Sequence, residues 1–388
     1  MLFGVVIVDL IGFGIVMPVL PFYAREFGAS ASLLGLLLTS YAATQFVFAP
    51  LWGRLSDRIG RRPVLLSTIA GTALSLLALG LAPSLPWMFA ARLFGGAFAA
   101  NISVASAYIA DVTDERERTR WMGMLGASFG VGFVLGPAIG GLLAPYGYAV
   151  PLLAAAGLGF SNFIHAFVSL RESRAPEARA ASSAASPISR GRVLRDPLVR
   201  RLCAANLLFS MAVAQLETIF AFFMLDRFGY DARQVAWILV AMAVLMGGVQ
   251  GGGMKALAAR FPERTLVIVG CTLLAVSFAA APAMPTIAWL LLALAVSAIG
   301  RAVVQPSLLG MTSIAAGVSE RGAVMGAFQS SASLARVVGP LAAGLLYDAA
   351  VPGPFALASG LLLATILLSR ALPARVGVET LAPPAPAR

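Results

Sequence analysis

The stretch GRLSDRIGRRPVL, Gly53 to Leu65, spans the polar gap between two long apolar runs, 33–52 and 63–81. Four arginines, Arg54, Arg58, Arg61 and Arg62, crowd it, with Asp57 the single acid among them. Gly53 and Gly60 permit a tight turn, because glycine enters backbone conformations closed to other residues. So basic a segment between two apolar runs reads as a loop anchored on the cytoplasmic face of a membrane. Asp57 is placed there to pair with a cation or to meet the positive end of a helix.

Composition points the same way. An apolar content of 59%, with 12% charged residues and a mean hydropathy of +0.88, is too greasy for a soluble chain of 388 residues. Twelve apolar spans are expected near 1–23, 33–52, 63–81, 87–110, 121–144, 150–170, 200–224, 233–253, 264–281, 286–310, 321–346 and 354–372. Each suffices to cross a ~30 Å hydrocarbon core. Cys203 and Cys271 both fall inside spans, so no disulfide framework is implied. A net charge of +11 raises the possibility of nucleic acid, but the distribution argues against it. Lys255 is the only lysine against 27 arginines, a bias of genome base composition rather than of binding.

That distribution also sets orientation. Twenty-two Arg and Lys fall in the even-numbered gaps, the central linker and the tail, among them Arg116, Arg118, Arg120, Lys255, Arg260, Arg264 and Arg321. The opposite gaps hold three, Arg25, Arg227 and Arg233, which puts both termini in the cytoplasm. The first span is no cleavable signal peptide: it lacks a basic lead, carries Asp9 mid-run and is too long. Residues 171–199, rich in Arg, Ala, Ser and Pro, cannot bury a core and read as a flexible linker. The expected organisation is thus a six-span bundle over 1–170, the linker, a second bundle over 200–372 and a cytoplasmic tail over 373–388.

The halves resemble each other at an offset of about 202 residues. Gly136-Pro137 corresponds to Gly339-Pro340, Gly141 to Gly344, and the Gly53 loop to a decayed copy around Arg260–Arg264, with Ala259 in place of Asp57. In span five, Gly132, Gly136 and Gly140 make a ridge at i, i+4 and i+8 that lets a neighbouring helix approach, while Pro137 removes a backbone donor.

The Gly53 loop resembles, nearly letter for letter, the G-x-L-x-D-R-x-G-R-R/K loop between helices two and three of major facilitator superfamily transporters. The resemblance implies an all-α integral membrane fold of twelve transmembrane helices in two pseudo-symmetric bundles, with the substrate site at their interface. GASFGVGFVLGPAIGGLL, Gly126 to Leu143, resembles the G-x-x-x-G-P-x-x-G-G motif of proton-coupled antiporters, carried here by Gly132, Gly136, Pro137, Gly140 and Gly141. DLIGFGIVMPVLP from Asp9, the Arg92 segment RLFGGAFAA and AYIADVTDERER from Ala107 are similar to twelve-span drug:proton antiporters, the tetracycline-efflux type above all. In the second half the similarity rests on RVVGPLAAGLLYD, Arg336 to Asp348. Where tetracycline exporters carry an acid in span three, a histidine in span eight and an acid in span nine, this chain aligns Ser75, Met246 and Leu274. Those departures put tetracycline itself in doubt as a substrate.

A charge within a span costs several kcal/mol unless paired or hydrated, so each is a candidate functional group. Five stand out: Asp9, Arg92, Glu217, Arg301 and Arg336. Asp9 is the first choice as proton carrier, against the plainer reading of a buried structural acid bonded to a neighbouring helix. Glu217 is the second; Gln215, Phe220, Phe222 and Phe223 beside it suit a lipophilic substrate. Arg92 matches the span-four arginine that the family associates with proton coupling, with a structural ion pair as its rival. Arg301 either contacts an anionic substrate or pairs with Glu217. The lone His165 reads as packing ahead of proton relay. Met17, Gln45, Phe46, Asn101, Gln215, Phe220, Gln250, Arg301, Gln305 and Gln329 are the expected cavity lining. The gating loop is expected to use Gly53, Asp57, Arg58, Gly60, Arg61 and Arg62, with Asp57 latching near Gly322.

No metal cluster, phosphate-binding loop or nucleophile–base pair can be assembled from these residues, which disfavours an enzyme, a cofactor and ATP as energy source. The expected function is proton-driven export of a small lipophilic compound by a monomer in the bacterial inner membrane, in contact with lipids and not with nucleic acid. The rivals are a metabolite or organic-anion carrier on the same fold and a non-transporting receptor.

Overall fold

The computed structural model describes residues 1–173, 195–316 and 321–374. The linker read over 171–199 and the tail over 373–388 therefore fall mostly outside the described residues, as do the side chains of Arg116, Arg118 and Arg321. Every regular element described is a helix: α1 Leu2–Glu26, α2 Ala31–Ile59, α3 Arg61–Gly80, α4 Leu85–Phe98, α5 Asn101–Val112, α6 Glu115–Leu143 and α7 Ala149–Ser169. There follow α8 Pro197–Phe228, α9 Ala232–Gly248, α10 Met254–Arg260, α11 Glu263–Ala280, α12 Ile287–Ala315, α13 Arg321–Ala349 and α14 Gly353–Arg370.

Among the described residues eleven stretches are long and apolar enough to cross a membrane; α4 with α5 forms one, Leu85–Val112, and α9 with α10 another, Ala232–Arg260. In the latter a π-helical turn, Val249–Gly253, joins the two helices. The 29-residue α13 adds a twelfth stretch of that length among the described residues and is more polar, carrying Gln329, three serines and Arg336. Helices dominate for a physical reason: hydrocarbon offers backbone groups no water, and a helix satisfies them within itself.

The Gly53 loop is shorter than its sequence implies. Residues 53–59 continue α2, and the turn is made at Gly60, with φ +110°, a conformation that other residues rarely adopt. Gly53 is helical with open space around it, so it makes no turn.

Contacts group the described chain into two compact units, Met1–Ser186 with Thr218–Ala243, and Pro187–Glu217 with Val244–Arg388. At the centre of the first lies a backbone-to-backbone seam between α1 and α6. A Cβ added at Gly136 would stand 2.5 Å from Gly14 Cα and 2.8 Å from the Ile11 carbonyl oxygen; one at Gly14 would stand 2.6 Å from the Gly132 carbonyl oxygen. Gly140 likewise faces Ile15 and Pro18 of α1, whereas Gly141 faces Ala236 of α9. The ridge read in the sequence thus seats α1. In lipid, where apolar side chains gain nothing by leaving one apolar medium for another, such close approach supplies the association energy. Buried Asn162 of α7 donates from Nδ2 to the Val5 carbonyl at 2.8 Å, tying a third helix to α1.

The second unit repeats the theme. Gly339 of α13 packs on Ala214 of α8, as Gly136 packs on α1, and Asn206 of α8 donates to the Phe328 carbonyl at 3.0 Å. The glycines Gly270 and Gly300 bring α11 and α12 together; a Cβ at Gly300 would lie 2.6 Å from the Gly270 carbonyl oxygen.

Gly136→Ala should overpack the α1–α6 seam by about 1–3 kcal/mol and lower the unfolding midpoint of the detergent-purified protein. Gly126→Ala, on the same helix with nothing within 4 Å of the added methyl, should leave the midpoint unchanged or raised. Equal losses at both positions would rule out the seam.

Candidate functional site

The fourth span is broken. Its helix stops at Phe98 and restarts at Asn101, with Ala99 at φ −76°, ψ 60° and Ala100 at φ −116°, ψ 5°. The carbonyls of Ala97 and Ala99 would accept from Asn101 and Ser103 in an unbroken helix. Instead α2 supplies the donors: Trp52 Nε1 donates to the Ala97 oxygen at 2.6 Å and Gln45 Nε2 to the Ala99 oxygen at 2.9 Å. The break is held open by dedicated side chains, which is what hydrocarbon requires of an interrupted helix.

Two of the three candidate coupling residues, Arg92 and Asp9, are held by the segments on either side of it. Before the break, Arg92 of α4 is 6% exposed and lays its guanidinium over the Tyr41 ring, 4.5 Å from the centroid. Among the described residues no carboxylate pairs with it, and its Nε is buried without a hydrogen-bond partner. Cation–π contact replaces the ion pair that was its structural alternative. After the break, Asn101 donates from Nδ2 to Asp9 Oδ1 of α1 at 2.7 Å. Asp9 also borders a cavity of about 10 Å3, room for roughly one water, lined by Gly12, Ile69, Thr72, Leu76, Ala155 and Gly159 among others.

A second cluster forms at the Gly60 turn. Arg61, 6% exposed, donates from Nε to Asp111 of α5 at 2.8 Å and from Nη1 to Ser56 at 2.6 Å, while Nη2 meets Asp57 at 2.8 Å. The Glu172 carboxylate accepts from the backbone N–H of Arg61 at 2.8 Å and of Arg62 at 3.2 Å, capping the start of α3. A Cβ at Gly60 would press on that carboxylate, the movable end of a flexible side chain, so it is the φ of +110° that calls for glycine here. Arg62 donates from Nη2 to the Phe167 carbonyl at 2.7 Å and rests on the Phe167 ring. Arg58 is exposed.

At the opposite end of the same unit Arg25 of α1 bonds Asp226 at 3.1 Å and covers the Phe222 ring at 4.8 Å. Beside it a cavity of about 280 Å3 is lined by Phe22, Arg25, Glu26, Tyr148, Leu225 and Asp231. Burial first, then the negative charges of Glu26 and Asp231, raise the Tyr148 phenol above its ordinary value, so it stays protonated at neutral pH.

In the second unit Glu217 of α8 meets Arg301 of α12 at 2.6 Å, with side chains 40% and 32% exposed. Gln215, 1% exposed, donates to the Gly339 carbonyl at 3.1 Å.

Of the residues read as cavity lining, Gln45, Asn101 and Gln215 are thus occupied by helix-to-helix bonds, and Phe220 is buried. Phe46, Gln250, Gln305 and Gln329 are exposed and Met17 is half-buried. His165 lies against Gly4 in packing contact. Sequence reading passed over Trp52, Tyr41, Asp111 and Glu172. Asp111 and Glu172 lie 50 and 111 positions from the Arg61 they hold, and the partners of Trp52 and Tyr41 are likewise remote, so nothing local in the sequence marked them.

Arg301→Met should lower the unfolding midpoint more than the Glu217→Gln, Arg301→Met double variant does, because the single change strands a carboxylate inside a span. Equal losses would show that the pair carries no stabilising coupling.

The arrangement joins charges within apolar helices, a capped helix break and a charged turn, in a chain whose described residues form eleven apolar spans and the more polar α13. A family model described as Major Facilitator Superfamily matches residues 2–255 and 253–387. The class D tetracycline resistance protein of Salmonella ordonez is 33% identical, the match covering 89% of this chain and 88% of that protein. Multidrug resistance protein 2 of Bacillus subtilis (strain 168) is 28% identical over 90% and 88%. Among solved structures, the human organic anion transporter MFSD10 (TETRAN) superposes with a TM-score of 0.69 at 27% identity, covering 95% of this chain and 97% of that one. An inward-facing, unoccupied bacterial homolog of the human lysosomal transporter Spinster reaches 0.76 at 15% identity, over 95% and 93%, a likeness of fold. The chain belongs to the major facilitator superfamily.

Proposed function

We propose that this protein exports a small lipophilic compound across the bacterial inner membrane in exchange for protons, by alternating access. One observation carries the reading: Asp9, an acid inside α1, is bonded to Asn101 at the interrupted fourth span, in a chain whose relatives are tetracycline and multidrug resistance proteins. An intramembrane acid is retained where it binds ions or protons, because its charge is costly there. Asp9 takes a proton from outside and gives it up inside; Glu217 and Arg92 are the auxiliary coupling groups. Both termini face the cytoplasm, the protein works as a monomer, and the proton gradient, with no cofactor, supplies the energy. The Gly60 turn latches the cytoplasmic side through Asp57. Ser75, Met246 and Leu274, which stand where the family's tetracycline exporters carry polar groups, favour another compound over tetracycline.

A second reading, exchange of an organic anion, rests on Arg301 within a span and on the similarity to the human organic anion transporter. Here Arg301 would receive the anionic group.

Adding a panel of lipophilic drugs to the protein in proteoliposomes should release protons from the wild type and not from Asp9→Asn. Release by organic anions alone would favour the second reading, and an Asp9→Asn variant that still concentrates substrate would remove Asp9 from the mechanism. Asp57→Asn should fold and reach the membrane normally while exchange slows severely. Unchanged export at normal abundance would refute the latch.

A further inference from the structure

Asn101 was expected to line a cavity, yet its carboxamide is turned onto Asp9, and the geometry gives it a different task. An ionised carboxylate only accepts hydrogen bonds, whereas a carboxylic acid has one O–H to donate. A side chain that only donates suits the first form and strands the proton of the second. A primary carboxamide serves both from one place, because half a turn about its last torsion exchanges Nδ2 with Oδ1. In the structure Nδ2 is on Asp9 at 2.7 Å, while Oδ1 is buried with no hydrogen-bond partner. Buried polar groups are paired as a rule, and an exception calls for a reason.

The surroundings leave the exchange to these two residues. From α3 and α7, the side chains bordering Asp9 are Ile69, Thr72, Ala73, Leu76 and Ala155, with Gly159; none titrates. Thr72 commits its hydroxyl proton to the Thr68 carbonyl at 2.8 Å. From α6 the residues pressed on α1 nearby are Gly132 and Gly136. His165 of α7 lies against Gly4, five residues earlier in α1, and Arg92 of α4 is turned onto Tyr41. Asn101 is also the first residue of α5, directly after the break at Ala99 and Ala100, so the amide that holds Asp9 sits at that joint.

We propose that Asn101 is the positioning residue for proton exchange at Asp9, its carboxamide turning with the protonation state of the acid. Nδ2–H donates to the ionised carboxylate. A proton arriving from water bonds to a carboxylate oxygen, the amide turns, and the new O–H donates to Asn101 Oδ1; departure of the proton to water reverses the turn. Both forms of Asp9 are thereby satisfied inside the membrane, and the change is felt at the joint between the two halves of the fourth span. The inference rests on reading Asp9 as the proton carrier.

Infrared difference spectra of the purified protein against pH test it, with Asp9→Asn identifying the Asp9 carboxyl band and Asn101→Leu the Asn101 amide band. In the wild type both bands should change with one midpoint. In Asn101→Leu the carboxyl band should move in frequency, and the pH at half-maximal substrate-triggered proton release should shift to the alkaline side by about one unit, since a bond to the charged form is the stronger of the two lost. Asn101→Thr, whose hydroxyl both donates and accepts, should restore near wild-type behaviour and keeps the test open should the leucine variant fail to fold. An Asn101 amide band indifferent to pH, or an Asp9 band and pH profile unchanged in Asn101→Leu, would overturn the proposal. Continued uphill export by Asp9→Asn would defeat the carrier reading alone, leaving the Asp9–Asn101 coupling to be judged by its spectra.

Discussion

A carbonyl oxygen in the core of a bilayer has no water from which to accept, and each departure from helix must therefore bring its own donors. The fourth span obeys this at the Ala99–Ala100 break, where Trp52 and Gln45 reach across from α2 to the Ala97 and Ala99 oxygens. The break in turn places Asn101 at the start of α5 and within 2.7 Å of Asp9. The same shortage of partners explains the bonds from Asn162 to the Val5 carbonyl and from Asn206 to that of Phe328, polar side chains spent on holding helices together.

Where side-chain burial gives little advantage over lipid, contact distance takes over. Gly14, Gly132 and Gly136 let α1 and α6 touch through their backbones, which fixes the position of Asp9 on α1 relative to its surroundings. Charged groups follow a parallel logic. Inside the spans Glu217 is neutralised by Arg301, Arg92 is laid on the Tyr41 ring, and Asp9 takes a hydrogen bond from the Asn101 amide. At the Gly60 turn, Arg61 gathers Asp57, Asp111 and Ser56 around one guanidinium, so the charge of Asp57 is tied to two helices beyond its own.

Much of this was legible in the linear sequence because it depends on composition and short-range order. Apolar run length marks the spans, and the Gly132–Gly136–Gly140 spacing marks a contact face at helical period. Other features depend on which helix a side chain meets. Gln45, Asn101 and Gln215 look in sequence like polar residues awaiting a ligand, and in the fold they hold backbone or carboxylate groups of other helices. Gly53 and Gly60 look alike as turn formers, yet only Gly60 has a positive φ, because α2 keeps its hydrogen bonding as far as the Gly60 N–H, which donates to the Ser56 carbonyl at 3.2 Å.

By itself the sequence determined that this is a twelve-span helical membrane protein, because hydrophobicity over twenty residues and the placement of arginines are properties of the chain alone. It also marked which charges fall within the apolar runs. The tertiary structure decided what those charges touch: Asn101 against Asp9, Tyr41 under Arg92, Arg301 on Glu217 and Asp111 on Arg61. Such pairs join residues 50 to 92 positions apart, as from Arg61 to Asp111 and from Asp9 to Asn101. Their meeting depends on the rotation and crossing of packed helices, which no local periodicity encodes.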